Sequence, residues 1–225
     1  MGHYTMKYRS AFDIIGPVMI GPSSSHTAGA ARIGRVARTL FGKQPKKAII
    51  SLYGSFAKTY RGHGTDVAVV GGILDFDTDD ERIPASLTIA EEAGMDVSFT
   101  IEDTVMDHPN TVKIRLFDED KELELVGISI GGGTIEITEL NTFKLKLSGE
   151  NPAILVVHND VFGIISSVST VLANHEINIG HMEVSRKEKG QMALMVIEVD
   201  QKIQSDVMKE IEGLENVSQV IRMVE

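Results

Sequence analysis

The chain has 225 residues, 42% of them hydrophobic, which suits one large domain or two smaller ones and argues against disorder. Its formal net charge of −10 argues against nucleic-acid binding, and no apolar run approaches the roughly 20 residues that a membrane span needs. The chain has no cysteine, so by itself it can hold neither a disulfide nor a thiolate-ligated metal. Its N-terminus lacks the pattern of a secretory signal, so the protein is expected in the cytoplasm.

The first half of the chain is predicted to be mostly helical. Met1–Thr5 precede a second methionine and are set aside as an upstream extension. Apolar residues at helical spacing then predict a helix that Gly42 ends. The elements predicted after it are a buried strand at Ala48–Tyr53, a polar glycine-rich loop at Gly54–Asp66, an apolar helix at Val67–Leu74 and a helix from Pro84 to Gly94.

Beyond Gly94 the hydrophobic period changes from helical to alternating, which predicts strands. These strands are expected around Val97–Ile101, Val112–Leu116, Leu123–Ile130 and Ile135–Ile137. Gly131–Gly133 lacks the spacing of a phosphate-binding loop and is expected to be a hairpin turn. Helices followed by a largely antiparallel sheet predict an α+β domain.

Ser148–Pro152 is the predicted linker, because each of its residues disfavours regular structure. It divides the chain into a first domain, residues 1–147, and a second, residues 148–225. The predicted elements of the second domain alternate as strand, helix, strand, strand, helix, strand, at Ala153–Val157, Phe162–His175, Ile177–Ser185, Gln191–Val199, Ile203–Glu212 and Val217–Val224. This order is the ferredoxin-like βαββαβ arrangement.

Ser23-Ser-Ser-His-Thr27 places three hydroxyls directly before His26 at the start of the first helix. A serine here would cap the helix, and the free N–H groups and positive dipole end would make a site for a carboxylate or phosphate. Taken alone, the segment favours the simpler interpretation, a capped helix with a histidine nearby.

His63 lies between Gly62 and Gly64 in a second polar loop, where the backbone can approach a ligand closely. An imidazole suits proton abstraction near neutral pH, and Asp66 is a candidate to orient this ring. The two loops, with His26 in one and His63 in the other, predict one wall of an active site. A turn residue facing solvent stays the alternative for His63.

The chain contains two long motifs, Ile15-Gly-Pro-Val-Met-Ile-Gly-Pro-Ser-Ser-Ser-His-Thr-Ala-Gly-Ala30 and Tyr53-Gly-Ser-Phe-Ala-Lys-Thr-Tyr-Arg-Gly-His-Gly-Thr-Asp66. They resemble the iron–sulfur L-serine dehydratases, and nearly the whole chain resembles the beta chain of the two-subunit bacterial form. The resemblance implies a lyase of amino-acid metabolism and gluconeogenesis that converts L-serine to pyruvate and ammonia. It also implies a four-iron four-sulfur (4Fe-4S) cluster that acts as a Lewis acid and is held by cysteines of a separate alpha chain. The lack of cysteine here fits that division independently.

For the first domain, the resemblance implies an active-site wall without metal ligands. His26 and His63 are the candidate catalytic residues, and the sequence does not decide which of them is the base. The candidate substrate-binding residues are Ser24, Ser25, Thr27, Gly64 and Thr65.

The second domain resembles ACT domains, which bind small amino acids as effectors. On the pattern of the serine-binding version, the candidate effector residues are His158, Asp160, Gly163, Asn178 and Ile179. Asp160 and Phe162 depart from that pattern, so the identity of the effector stays open, with L-serine favoured. ACT domains usually pair edge to edge, so self-association is expected.

Two other functions are weighed against this one. A pyridoxal-phosphate dehydratase is disfavoured, because the run around Lys58 has one residue too many for that family's lysine motif and no phosphate loop accompanies it. Lys58 is expected to be solvent-exposed instead. A non-catalytic regulatory module that binds an amino acid or an anion stays open, because domains that resemble the first half occur as such sites in dehydrogenases.

Overall fold

A computed structural model describes residues 17–223 of the chain. The chain divides into two compact units, the first ending at Glu136 and the second beginning at Ile137. Within the described residues, no helix has both the length and the apolar character needed to cross a bilayer.

The first unit packs helices against a sheet. Its elements, in chain order, are a π-helical turn Ser24–Ala28, α1 Gly29–Phe41, β1 Lys47–Tyr53, α2 Gly54–Thr59, α3 Thr65–Ile73, a 3₁₀ turn Ile83–Ala85, α4 Ser86–Glu92, β2 Asp96–Glu102, β3 Thr111–Phe117 and β4 Glu122–Gly131. The strands lie in the order β2-β1-β3-β4. β1 and β2 are parallel and the other neighbours are antiparallel, so the carboxyl ends of β1 and β2 meet at one edge of the sheet.

Most of the predicted helices and strands of this unit are confirmed, and so is the turn after β4. The predicted loop at Gly54–Asp66 is wrong in its first half, because Gly54–Thr59 forms α2. Phe56 anchors this short helix in the core with 0% of its surface exposed, and the Ser55 amide donates to the Pro109 carbonyl at 2.7 Å. These tertiary contacts stabilise a helix that the local glycine content disfavours.

Helices α1 and α3 cross with their backbones in direct contact. A Cβ added to Gly34 would collide with the Val69 carbonyl oxygen, and one added to Gly72 would collide with the Ala31 carbonyl oxygen. Only glycine permits so short a distance between the backbones of the two helices. The apolar residues around the crossing, among them Ile33, are fully buried. The crossing therefore sets how close the starts of the two helices lie.

The second unit contains the end of β5 and a four-stranded sheet with two helices. Its elements are β5 Thr134–Leu140, which spans the division, β6 Phe143–Leu147, β7 Ala153–Asn159, α5 Ile164–Asn174, β8 Ile179–Arg186, β9 Met192–Val199, α6 Ser205–Glu212 and β10 Val217–Met223. The four-stranded sheet has the order β10-β7-β9-β8, which confirms the ferredoxin-like prediction. One face of it packs on both helices through a single apolar cluster that includes Val156, Val168 and Ile211.

Strand β6 was not predicted, although Phe143-Lys-Leu-Lys-Leu147 alternates cleanly. It pairs with β5 across a tight turn in which Asn141 and Thr142 both have positive φ. An Asn-Thr dipeptide does not predict this conformation, which usually requires glycine at the second position. The hairpin belongs mostly to the second compact unit, whereas the predicted boundary follows residue 147. That boundary stays a prediction.

The substitution Gly72→Ala should lower the free energy of unfolding by about 1–3 kcal/mol, because the added methyl group would push α3 away from α1. Urea denaturation followed by circular dichroism measures the change. Gly62→Ala is the control, since its Cβ would lie 3.7 Å from the nearest atom, and it should change the free energy by less than about 0.5 kcal/mol. Equal losses in the two variants would contradict the packing explanation.

Candidate functional site

The serine-rich segment forms one π-helical turn that continues directly into α1. Ser23 precedes the turn in an extended conformation, and its Oγ accepts a hydrogen bond from the His26 amide at 3.2 Å. This confirms the predicted serine cap and places it at Ser23. π-Helical turns are rare and occur often at functional sites, which makes the position of His26 notable.

Hydroxyl groups contact both ring nitrogens of His26. Nδ1 lies 3.0 Å from Ser25 Oγ and 3.3 Å from Ser23 Oγ. Nε2 lies 2.9 Å from Ser55 Oγ, on α2. A neutral imidazole has one donor and one acceptor nitrogen, so one side of the ring receives a hydroxyl proton while the other donates to a hydroxyl oxygen.

The structure brings His26 and His63 together, as predicted. Their ring centroids are 4.9 Å apart, with the planes at 86°. The Thr27 hydroxyl donates to the His63 carbonyl at 3.0 Å and ties the two segments to each other. Phe56 contacts the other side of the His26 ring, edge to face, at 5.3 Å.

The surroundings lower the pKa of His26 below its ordinary value of 6.5. Burial is the larger cause, because it disfavours the charged ring, and the charge on a protonated His63 is the smaller one. His26 is therefore neutral near pH 7 and able to accept a proton, while the His63 side chain is exposed to solvent.

The predicted substrate-binding residues differ in accessibility. Ser24, Ser25 and Gly64 are partly exposed. Thr27 and Thr65 are buried, and the Thr65 hydroxyl has no hydrogen-bond partner within residues 17–223. Gly64 has a φ of 67° and directly precedes α3, and a side chain at this position would be strained. Ser24, Ser25 and Gly64 are thus the three that an incoming molecule can reach without rearrangement.

Two contacts differ from what the loop sequences suggest. The Asp66 carboxylate accepts from the Val67 amide at 2.9 Å, and the described part of the chain shows no hydrogen bond between it and the His63 ring. Sequence reasoning missed Ser55 as a partner of His26. Because Ser55 lies 29 residues from His26, no local spacing could have identified it.

In the second unit, His158 is buried at the end of β7, with 1% of its surface exposed. Its Nδ1 lies 2.8 Å from the Asn159 carbonyl oxygen, which can only accept, so Nδ1 carries the hydrogen. Nε2 therefore keeps a lone pair, and no donor reaches it among the described residues. A buried acceptor without a donor is costly, so this nitrogen is a ready partner for an ammonium or a hydroxyl group.

Asp160 follows β7 and is held by two hydrogen bonds. The Gly190 amide and the Arg186 guanidinium each donate to it at 3.0 Å, and these two bonds, the Gly190 one first, hold the pKa of the carboxyl below its usual range. Gly163 has a φ of 88° and directly precedes α5, with open space where a side chain would be. His158, Asp160 and Gly163 thus lie around one end of the sheet.

Asn178 and Ile179 lie at the opposite end of that sheet. His158 and Arg186 both pair with Ala193, at one end of β9, whereas Ile179 pairs with Val199 at the other. At about 3.3 Å per residue, the two ends are roughly 20 Å apart. Within one chain, therefore, the predicted effector residues form two separate groups.

The part of the chain that the structure describes contains no group of three or more histidine, cysteine, aspartate or glutamate side chains arranged to hold a metal ion. With no cysteine in the sequence, the donor atoms of this chain do not fit an iron–sulfur cluster.

The low pKa of His26 should appear in solution as an acid-side loss of stability. Below pH ~6.5 the unfolded chain binds a proton at His26 that the folded chain resists, so the free energy of unfolding falls as the pH is lowered through this range. In the variant His26→Asn, the contribution of this ring to the pH dependence of the free energy of unfolding should disappear. Denaturation at several pH values measures the free energy of unfolding, and an NMR titration measures the pKa of the ring. A pKa of His26 above 6.5 would contradict the expected lowering.

Comparison with known proteins agrees with this architecture. Residues 10–139 match the family described as "Serine dehydratase beta chain", and residues 153–216 match the ACT domain. The chain is 66% identical over 220 residues to "Probable L-serine dehydratase, beta chain" of Bacillus subtilis (strain 168), covering 98% of this chain and 100% of that one. It is 38% identical over 208 residues to "L-serine dehydratase, beta chain" of Peptoniphilus asaccharolyticus, covering 92% and 94%.

A more distant similarity is to "D-3-phosphoglycerate dehydrogenase" of Bacillus subtilis (strain 168), with 25% identity over 132 residues, covering 59% of this chain and 25% of that one. The two beta chains match over almost their full lengths, whereas the dehydrogenase matches over a quarter of its own. The chain therefore belongs to the serine dehydratase beta chain family and carries an ACT domain in its second unit.

Proposed function

We propose that this chain is the beta subunit of an L-serine dehydratase, which converts L-serine to pyruvate and ammonia together with an alpha chain that carries a 4Fe-4S cluster. The high identity to two proteins named as beta chains supports the subunit assignment. The absence of cysteine supports a cluster held elsewhere. A cytoplasmic location is part of the same proposal.

The contact between His26 and His63 is the observation that carries the proposal. Conversion of L-serine begins with loss of the α-proton and of the β-hydroxyl group, which together leave as water. The resulting enamine tautomerises to an imine by gaining a proton at carbon and losing one from nitrogen, and water hydrolyses the imine to pyruvate and ammonia. The first step needs an unprotonated base near the α-carbon, and the lowered pKa of His26 supports this histidine in that role.

The serine hydroxyls keep the His26 ring in one orientation without a carboxylate partner. If Ser25 Oγ accepts from Nδ1, the Nε2 lone pair faces Ser55 Oγ, and the substrate reaches Nε2 by displacing that hydroxyl. His63, more exposed and in ring contact, then takes the position of a proton acceptor or substrate holder. Ser24, Ser25 and the backbone amide of Gly64 bind the substrate carboxylate in this proposal. The Thr65 amide already donates to the Tyr60 carbonyl at 2.8 Å.

We propose that the ACT domain binds L-serine as an effector between two copies of the chain. The free His158 Nε2 accepts from the ammonium or hydroxyl of the amino acid. β8 is an edge strand of the sheet, and two copies that pair antiparallel along β8 bring the start of one strand to the end of the other. Asn178 of one copy then approaches Asp160 of the second, which supports the expected self-association.

Coexpression with the alpha chain tests the catalytic proposal. His26→Ala and His63→Ala should each lower kcat for anaerobic pyruvate formation by about 10²–10⁴-fold, because each removes a group that handles the proton. His175→Ala is the control, because this histidine lies in the second unit outside β8 and contacts Glu210 at 2.7 Å, and it should leave kcat unchanged. Activity that survives both site substitutions would favour the non-catalytic regulatory module instead.

The effector proposal predicts that L-serine shifts the methyl resonance of Met192, which pairs with Asn159 next to the His158 end of the sheet. Asn178→Ala should weaken this response even though Asn178 lies roughly 20 Å away in the same chain, because a second copy supplies it. Asn174 is also exposed, and the control Asn174→Ala should not weaken the response of Met192 to L-serine. A response that is independent of Asn178, or that occurs in a chain shown to be monomeric by sedimentation, would reject the two-copy site.

A further inference from the structure

A surface cavity of about 350 Å³ lies in the first unit at the carboxyl ends of the parallel strands β1 and β2. Its walls come from α2 on one side and from residues 101–109 on the other. In open sheets, ligands bind preferentially outside the carboxyl ends of parallel strands, because the chain departs from the sheet there and leaves a crevice. The volume is at the lower end of the range for small-molecule sites.

Charged side chains of both signs line this cavity without partners. Lys58 projects from α2, Glu102 ends β2, and Asp103 follows it. Within residues 17–223, none of these three side chains takes part in a hydrogen bond or an ion pair that the structure records. A cation and two anions that face one small cavity are suited to a ligand that itself carries both charges.

The cavity and the candidate site are linked through neighbouring residues of α2. Gly54 lines the cavity, and the next residue, Ser55, contacts His26 Nε2. The Pro109 carbonyl, on the opposite wall, accepts from the Ser55 amide at 2.7 Å. A Cβ on Gly54, whose φ is 53°, would lie 2.6 Å from that same carbonyl oxygen, so a glycine is needed where the two walls meet.

We propose that this cavity binds a small zwitterionic α-amino acid. Lys58 binds the carboxylate, and Glu102 and Asp103 bind the ammonium group. The proposal rests on the proposed function for the choice of L-serine as the ligand: the cavity is then a second amino-acid site, distinct from the one that Ser24 and Ser25 line, and Gly54 in its wall directly precedes Ser55, which contacts His26. The mixed charge of the lining favours a zwitterion over a phosphate or a bare cation.

The methyl group of Met106, which lines the cavity, reports its occupancy by NMR in the intact chain. L-Serine should shift the Met106 resonance to saturation. Lys58→Gln, Glu102→Gln and Asp103→Asn should each weaken the apparent affinity about tenfold to a hundredfold, the effect of one lost charge-assisted hydrogen bond. 2-Aminoethanol lacks the carboxylate and glycerate lacks the ammonium, so neither should saturate the site.

Lys47→Gln and Asp96→Asn are the matched controls, because this pair lies at the opposite end of the same two strands, 3.7 Å apart. In both control variants, the Met106 resonance should respond to L-serine with the same apparent affinity as in the unchanged chain. An L-serine response that is absent, or is equal in Lys58→Gln and in the unchanged chain, overturns the proposal. A Met106 shift produced by the alpha chain but not by L-serine also overturns it and assigns the exposed Val105 rim to protein docking.

Turnover of the two-chain enzyme separates this proposal from the proposed function. Saturable L-serine binding at Met106 without turnover rejects the dehydratase function and retains the site. Turnover without a Met106 response rejects the site and retains the function.

Discussion

The direct contact between the backbones of α1 and α3 is the constraint on which the candidate site depends. Gly34 and Gly72 leave no space for a side-chain carbon at the crossing, so the helix axes lie as close as two backbones allow. The two helices begin beside His26 and His63, and their close approach brings the two segments into ring contact. The hydrogen bond from the buried Thr27 hydroxyl to the His63 carbonyl holds the two segments together.

The His26 ring shows how an imidazole can be oriented without a negatively charged partner. Serine hydroxyls contact both of its nitrogens and the Phe56 ring packs on it, so its orientation is defined while its pKa is lowered by burial. A carboxylate in place of Ser25 would raise the pKa and favour the imidazolium ion. Burial and the neighbouring His63 instead favour the neutral ring, and the serine hydroxyls add no charge that would oppose them.

Under the proposed function, both units provide parts of sites that a further chain completes. The first unit supplies neutral and charged groups for an amino acid but no soft ligands for a metal cluster. The second supplies an unpaired acceptor at one end of its sheet and an amide side chain at the other. Such divided sites make binding dependent on assembly, because the residues that must act together lie too far apart within one chain.

Local sequence was sufficient for much of the fold. Hydrophobic periodicity determined α1, the strands from β2 to β4 and the ferredoxin-like order of the second unit, because each depends on burying one face of one element. It was insufficient for α2 and β6, where a buried Phe56 and a turn with two positive φ angles outweigh local preference. The lack of cysteine and the two histidine segments were likewise visible in the sequence alone.

Only the tertiary structure decided which of these groups meet. Ser55 contacts His26, which nothing in the local sequence indicates. Asp66 was a candidate to orient the His63 ring, but its carboxylate accepts a hydrogen bond from the Val67 amide of α3. Asn178 was expected in one site with His158, but the two lie at opposite ends of the sheet. The unpaired charges of Lys58, Glu102 and Asp103 share a cavity because β1 and β2 run parallel, with α2 following one strand and Asp103 the other. The sequence determines what each segment can form, whereas the meeting of distant side chains follows from helix crossing and strand order, which depend on the packing of the whole unit.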